Sequence, residues 1–270
     1  MRKICLIGCG KMGSAMLAGW QKDTQLTAEF HVIEPMLDAP ELANSNTYFY
    51  NSLSEFPDGF VPELVVLAVK PQMMAAVLEE ARFLGGADTS WLSIAAGLST
   101  QKLSAMLGGE AKILRAMPNT PAAIGMGITA LFAGHQVAAA VSALSEQLLA
   151  ACGSVVRLED EKLMDAVTAL SGSGPAYVFL LAETMAAAGQ RLGLPADMAM
   201  QLAIETIKGA GALMAEDAAP PAILRENVTS KGGTTAAALS VLMTDDRMAD
   251  LLDDALTAAA RRAAELDAQG

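Results

Sequence analysis

Gly8-Cys9-Gly10-Lys11-Met12-Gly13 stands between an apolar, strand-like run, Ile4 to Ile7, and a helix-like run that begins near Ser14. The spacing is G-x-G-x-x-G, and each glycine has its own task. Gly8 gives the sharp turn out of the strand, Gly10 removes the side chain that would block a pyrophosphate, and Gly13 lets the helix pass close to the strand. The pyrophosphate would then lie against the positive end of the helix. Glycine-rich turns also arise for purely conformational reasons, so the weight of this reading rests on its surroundings.

Those surroundings alternate strand and helix. A first helix is expected near Ser14 to Gln21, followed by a short strand, Phe30-His31-Val32-Ile33, that ends at Glu34. Glu34 lies 21 positions beyond Gly13, close to the spacing at which an acidic residue meets the adenosine ribose hydroxyls. The other reading is a solvated turn carboxylate. On the ribose, Glu34 would favour NADH over NADPH, because a 2′-phosphate would meet like charge.

Leu64 to Val69 is a continuous apolar run, as expected of a strand buried on both faces of a parallel sheet. It stops at Lys70-Pro71, where proline cannot supply the next ladder donor, so Ala68 to Pro71 fall at a strand's carboxyl end. Pro71 to Phe83 reads as helix. Trp91 to Ile94 repeats the pattern and ends in Ala95-Ala96-Gly97, small residues that a dinucleotide could approach closely. Ile113 to Met117, Ile128 to Phe132 and Ser154 to Leu158 supply further strands. The alternation predicts a doubly wound α/β domain over residues 1–158.

From Glu159 the pattern changes to long alanine-, leucine- and methionine-rich helical stretches, which predict an all-α second domain over residues 159–270. Ser171-Gly172-Ser173-Gly174 reads as a turn or a helix distortion leading into a helix from Pro175 to Leu192, which Gly193-Leu194-Pro195 stops. Helical spacing resumes from Pro195 to Met214 and breaks at Pro220-Pro221. Thr234 or Thr235 can cap a helix through Leu242, and a last helix is expected from Asp246 to Leu266.

Composition narrows the function. With 270 residues the chain can bury about three quarters of its unfolded surface without a metal or disulfide staple. The formal net charge of −12 opposes nucleic-acid binding, which depends on neutralising phosphates with Lys and Arg. No apolar run reaches the ~18 residues of a membrane span. Met1-Arg2-Lys3 leads through a short apolar segment directly into the glycine motif, so a cytoplasmic protein is expected. Cys5, Cys9 and Cys152 lack metal-ligand spacing and read as small buried hydrophobes. Neither histidine, His31 or His135, sits in a recognisable catalytic setting.

The second informative stretch is Ser230-Lys231-Gly232-Gly233-Thr234-Thr235. Its glycines expose backbone N–H groups just before a helix, and Ser230, Thr234, Thr235 and Lys231 add hydroxyls and positive charge. It is either a carboxylate cradle or a glycine turn followed by an ordinary threonine N-cap.

Together with Ala68-Val69-Lys70-Pro71, Arg115-Ala116-Met117-Pro118-Asn119-Thr120-Pro121 and Ser171 to Tyr177, the two glycine stretches make the chain resemble the pyrroline-5-carboxylate reductases over essentially its full length. The resemblance implies hydride transfer from NADPH or NADH to the imine carbon of 1-pyrroline-5-carboxylate, giving L-proline. It places the dinucleotide on Ile7, Gly8, Cys9, Gly10, Lys11, Met12, Glu34, Asn51, Ala68, Val69, Lys70, Pro71, Ile94, Ala95 and Ala96, with Asn227 reaching across from the second domain. The substrate carboxylate falls to the Gly233, Thr234 and Thr235 amides with Ser230, the ring nitrogen to Thr235, and Glu161 is placed near the substrate. A helical domain that dimerises is implied, with five dimers forming a decamer in some members.

Two departures stand out: Lys231 replaces the family's common proline, and no arginine follows Glu34 closely. The rivals are a β-hydroxyacid dehydrogenase, which would need a lysine on the first long helix of the second domain, and a dinucleotide-binding regulator without turnover. No lysine occurs between Ser171 and Lys208, and a pure sensor has no need of a carboxylate cradle.

Overall fold

A computed structural model describes residues 1–36, 42–57 and 59–269. In chain order the first part runs β1 (Arg2–Ile7), α1 (Lys11–Lys22), β2 (Ala28–Ile33), β3 (Thr47–Tyr50), β4 (Leu64–Leu67), α2 (Met74–Ala81), β5 (Ser90–Ser93), α3 (Thr100–Met106), β6 (Lys112–Met117), β7 (Gly127–Ala133), α4 (Ala139–Ala150) and β8 (Gly153–Arg157). These strands form one sheet in the order β3-β2-β1-β4-β5-β6-β7-β8. The pairs from β3 to β6 are all parallel. β7 runs antiparallel to β6, and β8 is parallel to β7.

That one reversal follows from the connection. Parallel strands need a crossover of a dozen or more residues, whereas only residues 118–126, built around a short 3₁₀ turn, Thr120–Ile124, and Gly125 in the left-handed region, separate β6 from β7. The chain therefore doubles back beside β6. α4 then provides a true crossover, and β8 is parallel again.

Both faces of the sheet are covered, which is why its strands read as continuous apolar runs. Ile4, Leu6, Val66 and Leu92 point to a cluster built with Met16, Leu17 and Trp20 of α1 and Leu144 and Leu148 of α4. Cys5, Ile7, Val65 and Leu67 point the other way, to Met74 and Leu78 of α2 and Leu103 of α3. The Trp20 indole donates to the Leu148 carbonyl at 2.8 Å, tying the two helices of one face together.

After β8 a 3₁₀ turn (Glu161–Leu163) leads into α5 (Met164–Val167) and one π-helical turn, Thr168–Gly172. Of the two sequence readings of this region, the helix distortion is what forms. A Cβ at Gly172 would strike the Met117 side chain. The remaining helices are α6 (Gly174–Arg191), α7 (Ala196–Glu216), α8 (Pro221–Asn227), α9 (Thr234–Met243) and α10 (Arg247–Gln269).

The chain divides into two compact units, Met1–Gly172 with the residues from Ala259 onward, and Ser173–Ala258. The division falls beyond the sequence boundary at residue 158, which marks the end of the last strand. In the second unit α6 ends in a left-handed Gly193 at φ +98°, with the Leu194 N–H donating to the Gly189 carbonyl at 3.1 Å. This is the Schellman stop that Gly193-Leu194-Pro195 predicts. Among the described residues, the buried cluster of this unit consists of Ala186, Ala199 and Ala203. No helix among them is long and apolar enough to cross a membrane.

Candidate active site

Five parallel strands end side by side, and the first-unit residues expected to hold a dinucleotide follow those ends. Gly8 comes one residue after β1, Glu34 after β2, Asn51 after β3, Ala68 after β4 and Ile94 after β5. Ladder bonds continue into them: Gly8 N–H donates to Ile33 O at 2.9 Å, Ala68 N–H to Ile7 O at 2.8 Å and Ile94 N–H to Leu67 O at 3.1 Å. The row includes the point where the strand order reverses around β1, the crevice in which open α/β sheets bind ligands.

The three fingerprint glycines answer to three different constraints. Gly8 has φ +94°, and a Cβ there would lie 2.7 Å from the Ala68 carbonyl oxygen. At Gly13 a Cβ would collide with the Gly8 carbonyl, so only glycine lets α1 start this close to the turn. A Cβ on Gly10 would meet no protein atom within 4 Å. Gly10 is thus not required by packing; it keeps space clear in front of the N-terminus of α1. No side chain caps that terminus and its first turn holds no acidic residue. Among the described residues the Lys11, Met12 and Gly13 amides have no hydrogen-bond partner. A clear space facing unclaimed amides and a positive helix end fits a pyrophosphate.

Glu34 closes the other side. Its Oε2 accepts from the Cys9 N–H at 2.7 Å and its Oε1 from the Met36 N–H at 3.2 Å. The carboxylate is therefore fixed against the glycine turn rather than left as a solvated turn charge. Burial first, and the Glu34 carboxylate second, push the Cys9 thiol up to about 11, and burial also raises Cys5 and Cys152. All three cysteines are free and buried, so they act as small hydrophobes. Asn51 donates its N–H to Glu55 Oε2 at 3.0 Å, and exposed Lys70 caps the 3₁₀ turn that begins at Pro71. Val69 is half-buried beside Ala68, and Ala95 and Ala96 extend the β5 end.

The second unit presents the Ser230 to Thr235 loop. Gly232 takes φ +73°, and the Gly233 N–H donates to the Ser230 carbonyl at 3.0 Å, which closes the turn. Gly233 is itself the N-cap of α9, with no side-chain cap; the expected threonine cap does not form, because Thr234 and Thr235 are already the first helical residues. The Gly233 amide is therefore committed to the turn. Among the described residues the Thr234 and Thr235 amides have no partner. Asn227 is exposed at the end of α8.

Glu161 lies in the first unit and is fully engaged there. Its Oε1 accepts from Arg115 Nη1 at 2.7 Å and from the Thr100 N–H at 2.7 Å, and its Oε2 accepts from the Thr100 hydroxyl at 2.6 Å. Arg115 is almost wholly buried, with a side chain 7 % exposed. Removing its partner would strand a buried guanidinium at a cost of about 3–5 kcal/mol. The Arg115–Glu161–Thr100 network escaped the sequence reading. Arg115 was visible only as part of a motif, and its partner lies 46 residues further on.

The fold and site thus define a two-unit nicotinamide-dinucleotide oxidoreductase with a helical second half. Residues 161–266 match the family described as pyrroline-5-carboxylate reductase dimerisation, and residues 3–97 the family described as NADP oxidoreductase, coenzyme F420-dependent. A pyrroline-5-carboxylate reductase of Pseudomonas aeruginosa is 38% identical over 269 residues, covering 99% of this chain and 97% of that one. The structure of a pyrroline-5-carboxylate reductase from Coxiella burnetii superposes with a TM-score of 0.88 at 33% identity, covering 97% of each chain. That of a Plasmodium falciparum pyrroline carboxylate reductase with NADP bound gives 0.82 at 29% identity, covering 98% of each. The chain belongs to the pyrroline-5-carboxylate reductase family.

Proposed function

We infer that this chain reduces 1-pyrroline-5-carboxylate to L-proline with NAD(P)H, the last step of proline biosynthesis. The observation that carries the reading is likeness over nearly the whole chain to reductases of this name, joined to two helix ends whose first amides stand unclaimed. The amides of α1 hold the dinucleotide pyrophosphate, with Ile7 to Met12, Asn51, Ala68 to Pro71 and Ile94 to Ala96 along the same edge and Asn227 contributed by the second unit. The bound nicotinamide supplies the hydride.

The protein's own share is to bind and orient. The Thr234 and Thr235 amides, with the Ser230 hydroxyl, hold the substrate carboxylate at the positive end of α9. Thr235 directs the ring nitrogen and relays a solvent proton, since an aliphatic hydroxyl is too weak an acid to give up its own. A protonated imine is already electrophilic, so no histidine is needed, which suits a chain whose His31 is buried in β2, between β3 and β1. Glu34, a fixed negative charge beside the ribose position, disfavours a 2′-phosphate and tilts the preference toward NADH. Three free thiols suit a reducing, cytoplasmic setting.

The working form is a homodimer, with a decamer of five dimers as the larger assembly. Support comes from the second unit, where Val178, Phe179, Leu180 and Leu181 are 44, 61, 58 and 42% exposed. Four consecutive helical residues face all sides of α6. A helix apolar all round belongs inside a core, which three alanines cannot supply.

The test is loss of reduced-nicotinamide absorbance with pyrroline-5-carboxylate, run with NADPH and with NADH. Turnover with either is expected; silence with both, in protein that binds the dinucleotide, contradicts the reading. Thr235→Ala is expected to lower turnover about tenfold or more and to weaken binding of a proline analogue, with dinucleotide affinity nearly unchanged. Unaltered steady-state constants would remove Thr235 from the site.

A further inference from the structure

The loop between β5 and α3 carries Ile94 to Ala96 at the dinucleotide edge, and three residues later it is held by carboxylates from remote parts of the chain. The Ser99 N–H donates to Asp267 Oδ1 at 2.7 Å, across 168 residues of sequence. The next amide, Thr100, and its hydroxyl both donate to Glu161. Between these anchors and the cofactor edge the backbone has no slack. Ala95, Gly97 and Leu98 are buried, and the Ala95 N–H donates to the Ser93 hydroxyl at 3.2 Å. Gly97 takes φ +69°, and a Cβ there would lie 2.6 Å from the Leu266 Cβ on the last turns of α10.

The anchors are charge-assisted and short, the strong class of hydrogen bond. Glu161 is the first residue of the stretch that matches the dimerisation family, residues 161–266, and Asp267 follows directly after it. Arg115, Asp165, His135 and Lys162 line the cavity of about 500 Å³ that the two carboxylates share. Burial is the main influence on Asp165 and raises its carboxyl above the ordinary range; Arg115 opposes the rise, and Asp267 and Glu161 add to it. Arg115 is paired with Glu161, which leaves Asp267 free to serve the loop.

We propose that Asp267 and Glu161 are positioning residues for the reduction: by fixing the Ser99 and Thr100 amides they set the placement of the Ile94 to Ala96 backbone against the nicotinamide half of the dinucleotide. This rests on the reductase reading. Neither carboxylate touches the reacting atoms; each acts through the loop. The competing role is purely structural, an acidic cap for the short α3, and it would affect stability without affecting the chemical step.

The experiment compares Asp267→Ala, Asp267→Asn and Glu161→Gln in the full chain, by steady-state kinetics, dinucleotide titration and amide hydrogen exchange of residues 94–100. Asp267→Ala is expected to accelerate exchange across that segment and to lower kcat about tenfold, while the dinucleotide Kd stays within about twofold. Asp267→Asn keeps an oxygen for the Ser99 amide and is expected to recover most of kcat. Glu161→Gln keeps one acceptor oxygen for Thr100, replaces the other with an amide donor and removes the charge toward Arg115, and is expected to fall between them. Wild-type kcat in Asp267→Ala, an equal loss in Asp267→Asn, or unchanged exchange over 94–100 would each overturn the proposal. An inactive wild-type chain whose Asp267→Ala variant still shows the exchange change would instead overturn the reductase reading.

Discussion

Glu34 and Gly10 face the same small region with opposite means, one by placing charge and the other by withholding atoms. Two backbone amides hold the Glu34 carboxylate against the glycine turn, and the ribose contact proposed for it would set that charge against a 2′-phosphate. Glu34→Ser should therefore raise the ratio of kcat/KM for NADPH over NADH by about tenfold or more, and Glu34→Arg further. Parallel steady-state measurements decide it, and a ratio that does not move would place Glu34 away from the ribose. At this scale the sequence was most readable where the constraint is local. The separate duties of Gly8, Gly10 and Gly13 follow from a spacing of a few residues, and so does the left-handed stop at Gly193. It was unreadable where partners are distant: the spacing of Ser99 and Asp267 carries no pattern, and neither does that of Glu161 and its partners Arg115 and Thr100.

Among the elements, β3 is the strand that the sequence did not disclose. Thr47-Tyr48-Phe49-Tyr50 is short, a threonine and three aromatics instead of an aliphatic run. Its contribution is clear only once it lies beside β2. Tyr48 and Tyr50 stack on His31 at ring distances of 4.9 and 5.8 Å, with Phe60 at 4.1 Å. His31 Nδ1 lies 3.0 Å from the Tyr50 hydroxyl, and its Nε2 has no hydrogen-bond partner, with Glu29 at 3.8 Å. Burial lowers the His31 pKa; Glu29 partly offsets this, and Lys3 adds to the lowering. The unfolded chain therefore takes up this proton first. Stability from this group is intact above the unfolded value of about 6.5 and is lost as pH falls from there toward the folded pKa. His31→Phe should flatten that part of a urea-midpoint profile between about pH 5 and 7. An unchanged slope would show that acid sensitivity lies elsewhere. The reversal of β7 was equally hidden, because an apolar run has no direction until the length of its connection is set against the crossover a parallel strand requires.

For the molecule as a whole, the buried cluster of the second unit among the described residues is three alanines, little apolar burial for a unit of its size, and the homodimer proposed above supplies the missing cover. Sedimentation should give the mass of a dimer or a multiple of it, with a melting temperature that rises with protein concentration. Phe179→Asp, on the all-round apolar stretch of α6, should break the assembly and abolish turnover together. A monomer that keeps full activity would contradict the dimer.

The division of the chain also has a consequence for its synthesis. The first unit is discontinuous: it needs the residues from Ala259 onward, which leave the ribosome only after the whole second unit. Domains are made from the N-terminus at about 5–20 residues per second, so the sheet can form early while the β5–α3 loop still lacks Asp267. A nascent or prematurely terminated chain would carry an assembled glycine crevice with an unfastened rim. Only after Asp267 has been made can the rim be fastened, so the site is completed later than the sheet that carries it.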